Sequence, residues 1–306
     1  MRRGLILGAT AYLLWGLFPL YFPLLQPAGA LEVLAHRMVW SLLVSAVILT
    51  VVCGWRHIRQ MPAKVWLLVL VGASLIAVNW GIYIWAVNAD HVVDAALGYF
   101  INPLVTVLFG VLIFRERLRV VQWVAVGLGA LAVTVLAVAG GVFPWVAVSL
   151  AASFACYGLV KKVIPLPPTA SLTAEGMVQL LPALGYLLFL TLTGTSTLTT
   201  HGVGHVLLLA SSGVVTCVPL LAFAAAAQAL PLSVLGVMQY LTPVAQFLLG
   251  VFWFHEAMPG YRWFGFVLVW AALCVFTFDA LRQAKNAHDR TRDGAPVTSS
   301  SDAPGT

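Results

Sequence analysis

Apolar runs of about 20 residues recur along this chain, and that repetition limits the fold more than any short motif does. The windows lie near residues 4–25, 33–53, 65–87, 92–114, 120–140, 142–161, 174–194, 203–228, 232–254 and 260–281. Each can cross a hydrocarbon core of about 30 Å as a helix. In lipid every backbone N–H and C=O needs an internal partner, so the choice lies between helices and a closed barrel. Barrel strands are about ten residues long and alternate in polarity. These runs are longer and continuous, so an all-α integral membrane protein with ten transmembrane helices is expected. Only 8% of the 306 residues are charged, against about 25% in soluble proteins. That scarcity excludes a large extramembrane domain and, with it, most soluble-enzyme and nucleic-acid-binding functions.

The few charges carry the topology. With an interior N-terminus, the even connections hold Arg56, Arg59 and Lys64, then Arg115, Arg117 and Arg119, then Lys161 and Lys162. Arg2 and Arg3 at one end, and Arg282, Lys285, Arg290 and Arg292 at the other, join the same side. Basic residues are retained on the cytoplasmic side, so both termini are expected there. Arg262 falls outside and Arg37 lies within a span. The first run reaches about Leu25 with no small-residue cleavage site, which reads as a retained span and not a signal peptide. Cys53, Cys156, Cys217 and Cys274 are scattered, with no C-x-x-C pair, and read as packing residues. Residues 282–306 are polar and aperiodic, and are expected to form a disordered cytoplasmic tail.

The second half repeats the first at an offset of 140 residues. Asn88 falls on Gln228, Pro103 on Pro243, Gly110 on Gly250, Phe114-Arg-Glu116 on Phe254-His-Glu256, and Trp123 on Trp263. Earlier the offset drifts, so that Trp15 meets Tyr157 and Glu32 meets Glu175. Two units of five spans follow, 1–141 and 142–281, and an odd number of spans forces the second to enter from the opposite side. Such inverted repeats place a substrate site near the midplane between the halves. Pro103 and Pro243 are expected to break their helices there, freeing the carbonyls of Tyr99 and Gln239.

Polar residues at depth are the site candidates. Asp94, Gly98, Asn102, Thr106 and Gly110 form a stripe at steps of four along the fourth span, and Thr242 and Gln246 continue its counterpart in the ninth. Glu32, His36 and Arg37 open the second span, with Arg37 about 8 Å deeper than Glu32 from the rise of an α-helix. Arg37 has three readings: it snorkels to the headgroups, pairs with Asp94, or faces a cavity and binds an anionic group. Asn79 and Tyr83 share a face in the third span, as ligand contacts or as helix-to-helix hydrogen bonds. Candidate substrate contacts are therefore Arg37, His36, Asn79, Tyr83, Tyr99, Asn102, Gln239, Thr242 and Gln246. Glu32, His36, Asp94 and Glu175 are candidate proton carriers or counter-charges. His201 and His205 lack a third ligand, and no metal or cofactor is expected. Without a phosphate-cradling loop, an ion gradient, H+ being the candidate, or passive flow would drive transport.

Tyr12-Leu-Leu-Trp-Gly-Leu-Phe-Pro-Leu-Tyr21, Leu31-Glu-Val-Leu-Ala-His-Arg37, Asn79-Trp-Gly-Ile-Tyr-Ile-Trp-Ala-Val-Asn88 and Leu97-Gly-Tyr-Phe-Ile-Asn-Pro103 resemble the RarD family, the chloramphenicol-sensitive proteins. These belong to the EamA branch of the drug/metabolite transporter superfamily. The resemblance extends to about Asp279 and implies a ten-helix permease of the bacterial cytoplasmic membrane. Its Pro and Glu pattern falls on Pro103 and Glu116, then Pro243 and Glu256. A secondary transporter, working as an exporter, of a small organic metabolite or drug is the expected function. A lipid-modifying membrane enzyme and a sensor or scaffold subunit are the alternatives. The partners expected are a small-molecule substrate and the bilayer, with no nucleic acid; monomer and homodimer both stay open.

Overall fold

The computed structural model describes residues 2–114, 119–198, 200–230, 234 and 238–293. Every regular element among them is helical. Helix α1 spans Arg2–Gly16, α2 Ala30–Val51, α3 Ala63–Asn88, α4 Val92–Phe114 and α5 Val120–Gly140. There follow α6 (Trp145–Val163), α7 (Pro168–Leu192), α8 (Gly202–Ala229), α9 (Leu241–Leu248, prolonged by a π turn over Leu249–Trp253) and α10 (Gly260–Asp293). Among the described residues, seven of these are long and apolar enough to cross a membrane, or eight if α1 is joined to its bent extension. Helices α6 and α9 are shorter apolar helices. The protein is thus an all-helical, multi-pass membrane protein.

Two proline-started segments follow α1, Phe18–Tyr21 and Phe22–Leu25, set at 45° to it. Pro19 and Pro23 cannot donate into the preceding turn, which ends the regular ladder and turns Phe18 and Phe22 inward. Pro103 lies inside the continuous helix α4, so the expected break there does not occur. In the second half the chain is interrupted at Gln239 and Tyr240, just ahead of Pro243 in α9. The carbonyl of Gln239 is not left free: the Thr242 N–H donates to it at 3.4 Å.

The principal neighbours are α1 with α8 and α9, α2 with α7 and α8, α3 with α6 and α7, α4 with α6 and α9, and α5 with α10. This set maps onto itself when every helix is exchanged with the one five places on. Small residues permit the contacts, since lipid offers no hydrophobic drive to pair helices. At Gly98 in α4 a Cβ would lie 2.9 Å from the carbonyl oxygen of Ala147 in α6. Gly98 of the expected stripe of α4 is therefore a packing position.

Contacts also define two faces. Helices α2, α4, α6, α8 and α10 begin at a first face, where Glu32 meets Thr197 and Glu256 meets Val92. At the second face the end of α6 meets the start of α7 through Lys161 and Glu175. Helix α10 runs on to Asp293, so the chain from 282 to 293 is helical where a disordered tail was expected. Residues 294–306 and Glu116 lie outside the described residues.

Candidate functional site

About 10 Å below the start of α2, by the helical rise, Arg37 is buried at 3% exposure. It does not snorkel to the surface. Its Nε donates to Thr216 Oγ1 of α8 at 2.8 Å. The guanidinium carbon lies 3.9 Å from the centroid of the Trp80 ring of α3, with Phe18 and Phe22 at 5.4 and 5.8 Å. This is a desolvated cation–π arrangement, where such contacts are strongest. Nη1 has no hydrogen-bond partner in the protein.

Aromatic residues of the first half and Gln246 of the second continue the site. Gln246 of α9 donates through Nε2 to the Tyr83 hydroxyl at 2.8 Å and to the Trp15 carbonyl at 3.3 Å. Tyr83 stands edge-on to Tyr99 and to Phe22, at 5.7 and 5.9 Å between ring centroids. The Tyr99 hydroxyl donates to Asn79 Oδ1 at 3.4 Å. Two buried acceptors, Gln246 Oε1 and Asn102 Oδ1, lack donors, as does His36 Nε2 a partner. A cavity of about 10 Å³ lies between α2, α3 and α7, lined in part by Ser41, Trp80, Glu175 and Gln179. It holds about one water. At the first face a hollow of about 370 Å³ lies among residues 26–30, Trp85 and Asn88.

Several expected roles change. Arg37 does not pair with Asp94: that carboxylate sits at the first face with His91 Nδ1 at 2.8 Å and Arg262 at 3.5 Å. Arg262, the basic residue on the unexpected side, is thereby engaged. Asn79 is a helix-to-helix clamp, its Nδ2 donating to Leu150 O and Ser153 Oγ of α6, each at 3.0 Å. Thr242 donates to the Tyr12 carbonyl of α1 at 2.8 Å, and Gln239 sits at the interruption before α9. Glu32 accepts from the Thr197 N–H at 2.8 Å and Ser196 Oγ at 3.4 Å, at the first face. Glu175 is paired with Lys161 at 2.6 Å near the second face. His201 and His205 bond Thr200 and Thr197 separately. Arg37, His36, Tyr83 and Gln246 remain as buried polar residues, with Tyr99 and Asn102 half-buried.

Sequence reading missed Thr216, Tyr21 and Ser211. The Tyr21 hydroxyl lies 2.8 Å from Ser211 Oγ. The available signal was a run of hydroxyl residues, Ser211, Ser212 and Thr216, within the apolar α8.

Glu256 lies in the loop before α10 and accepts the Val92 and Val93 N–H groups at 2.5 and 3.0 Å, capping α4 from a distance. Burial pushes its carboxyl up to about 7, with Asp94 adding to the rise and the two N–H donors and Arg262 opposing it. A carboxyl raised on folding stabilises the fold at low pH, and this contribution is lost as pH rises through the folded value. The melting temperature is expected to fall between about pH 5 and 8, and Glu256→Gln to flatten that segment. Melting curves of the two proteins test this; parallel profiles would assign the titration elsewhere.

Long apolar helices around a buried, cation-centred polar cluster define a multi-pass membrane protein. Residues 2–138 match the EamA-like transporter family. Protein RarD of Streptomyces exfoliatus is 55% identical over 97% of this chain and 95% of its own length. Protein RarD of Escherichia coli K12 is 40% identical over 92% of this chain and 95% of its own. The chain belongs to the RarD proteins of the EamA-like transporter family. A solved crystal structure sharing 20% identity covers 92% of this chain and 98% of its own, with a TM-score of 0.59, and shares the fold.

Proposed function

We propose that this protein is a secondary transporter of the bacterial cytoplasmic membrane, exporting a small organic metabolite or drug-like molecule. It works by alternating access of two inverted five-helix halves, residues 1–141 and 142–281. The observation that carries this reading is the polar cluster built from both halves: Arg37, Tyr83 and Tyr99 from the first, Thr216 and Gln246 from the second. Exchange of the helix pairings between the halves supports the duplication, and relatives named as transporters support the class. Clusters shared by inverted halves can be exposed to either side by rocking one half against the other.

The basic residues favour the second face as cytoplasmic, with both termini there. Glu32 near the first face, Glu175 near the second and His36 beside the cluster are the candidates for proton coupling. Their separation in depth favours a conduction path over an enzyme site, which needs acid and base groups at one depth. Purified protein in proteoliposomes, offered a metabolite panel with and without a proton gradient, tests the reading. Arg37→Ala and Asn102→Ala are expected to lose at least about ninetenths of the flux while still inserting, the loss of a charge-assisted contact. Full flux in both would remove them from the path.

A further inference from the structure

Among the described residues the buried carboxylates are answered by a basic side chain or by a backbone N–H. Glu175 has Lys161, Asp279 has Arg119, and Glu32 has the Thr197 N–H. Arg37 has only the neutral Thr216 hydroxyl and aromatic rings, and none of the ion pairs found includes it. The ionisable groups that act on it are Tyr21, Tyr83, Tyr99 and Cys217, and none of these is an acid at neutral pH. A guanidinium cannot shed its proton to escape the cost of burial. The protein therefore maintains a positive charge in an apolar place, with Nη1 unused. An answering charge has to arrive with a ligand.

The surroundings specify more than a sign. The planar fork of Arg matches a carboxylate better than a spherical ion. Walls of Phe18, Phe22, Trp80, Tyr83 and Tyr99 favour a flat apolar body, since aromatic rings pack edge-to-face or offset. With one cation in the site, a single negative charge leaves the occupied cluster neutral. We infer that the transported molecule is a small planar or aromatic carboxylate carrying one negative charge, its carboxylate on the Nη edge of Arg37 and its ring among Phe22, Trp80, Tyr83 and Tyr99. The inference takes the word transported from the proposed function; the binding site itself stands without it.

The full chain in lipid nanodiscs is titrated with benzoate and indole-3-acetate, and in parallel with the neutral benzamide and indole-3-acetamide. The acids are expected to change tryptophan emission and to raise the melting temperature, and the amides to do neither. Arg37→Met is expected to weaken acid binding about a hundredfold and to melt above the native protein in the absence of acid, because an unanswered charge has been removed. Trp80→Leu keeps the charge and is expected to weaken binding about tenfold, which decides the matter if Arg37→Met does not fold. Equal binding of acids and amides, saturation by chloride alone, or native acid affinity in both variants would overturn the inference. Acid binding without benzoate counterflow in proteoliposomes would leave the site standing and sink the transporter reading. Counterflow of neutral compounds with no preference for acids would do the reverse.

Discussion

Lys161→Met is expected to destabilise the protein by about 3–5 kcal/mol, the cost of stripping one partner from a buried ion pair. Glu175 is only 3% exposed, and its Oε1 receives the Lys161 ammonium at 2.6 Å. Tyr157 donates to Oε2 at 3.1 Å, and Ser171 bonds Lys161 and lies 3.4 Å from Oε1. The two hydroxyls cannot replace a charge, so the carboxylate left behind pays for its burial alone. Pairing Lys161→Met with Glu175→Gln removes both charges and is expected to recover most of the loss, as buried pairs often convert to neutral groups at little cost. Denaturant titration of the four proteins of this cycle, in lipid, reads the coupling. A double variant as unstable as Lys161→Met would mean that the lysine acts by packing. The pair also separates two carboxylates that fall in register when the halves of the sequence are superposed. Glu175 is fastened by an ion pair at the second face, whereas Glu32 holds only an N–H and a hydroxyl at the first. The first face thus has the weaker tie at this position.

What could be read in the sequence followed from depth along a helix, and what could not followed from direction around it. Apolar length located α2, α3, α4, α5 and α8 to within a few residues, because a span must match the bilayer whatever its neighbours are. Asn79 and Asn102 lie at similar depth in adjacent spans, and the sequence treats them alike. Only the packing of α3 on α6 shows that Asn79 is used up by Leu150 and Ser153, while Asn102 keeps an unused acceptor. The same holds for Arg37. Its burial depended on Phe18 and Phe22 being folded over it by the bend after α1, which no periodicity announces. Asp94, one of its expected partners, is held instead by His91, three residues before it, and by Arg262 from an element distant in sequence. At the other end, polarity misled: Leu281-Arg-Gln-Ala-Lys-Asn-Ala is polar but made largely of good helix formers, and α10 continues through it.

Gly213→Ala is expected to lower the melting temperature and abolish flux, against the sign that helix propensity alone would give. In a helix interior, Gly to Ala gains about 1 kcal/mol from propensity. At Gly213 in α8, however, a Cβ would stand 2.5 Å from both the carbonyl carbon and oxygen of Trp40 in α2, and 2.8 Å from its Cβ. Two of those atoms are backbone, so no rotamer change relieves the clash and the helices must part. Overpacking of that kind costs about 1–3 kcal/mol where side chains can give way, and more is expected here. The separation acts on the site as well, because Thr216 lies one turn further along α8 and holds the Arg37 Nε at 2.8 Å. Cys217, beside it, contacts the Ser41 carbonyl of α2 at 3.7 Å. Gly185→Ala in α7 is the control, since nothing lies within 4 Å of its Cβ position and propensity is unopposed. Melting curves and proteoliposome flux separate the two effects. If Gly213→Ala is as stable and active as Gly185→Ala, then α2 and α8 are not locked at this crossing, and Arg37 is held by its aromatic neighbours and not by the helix pair.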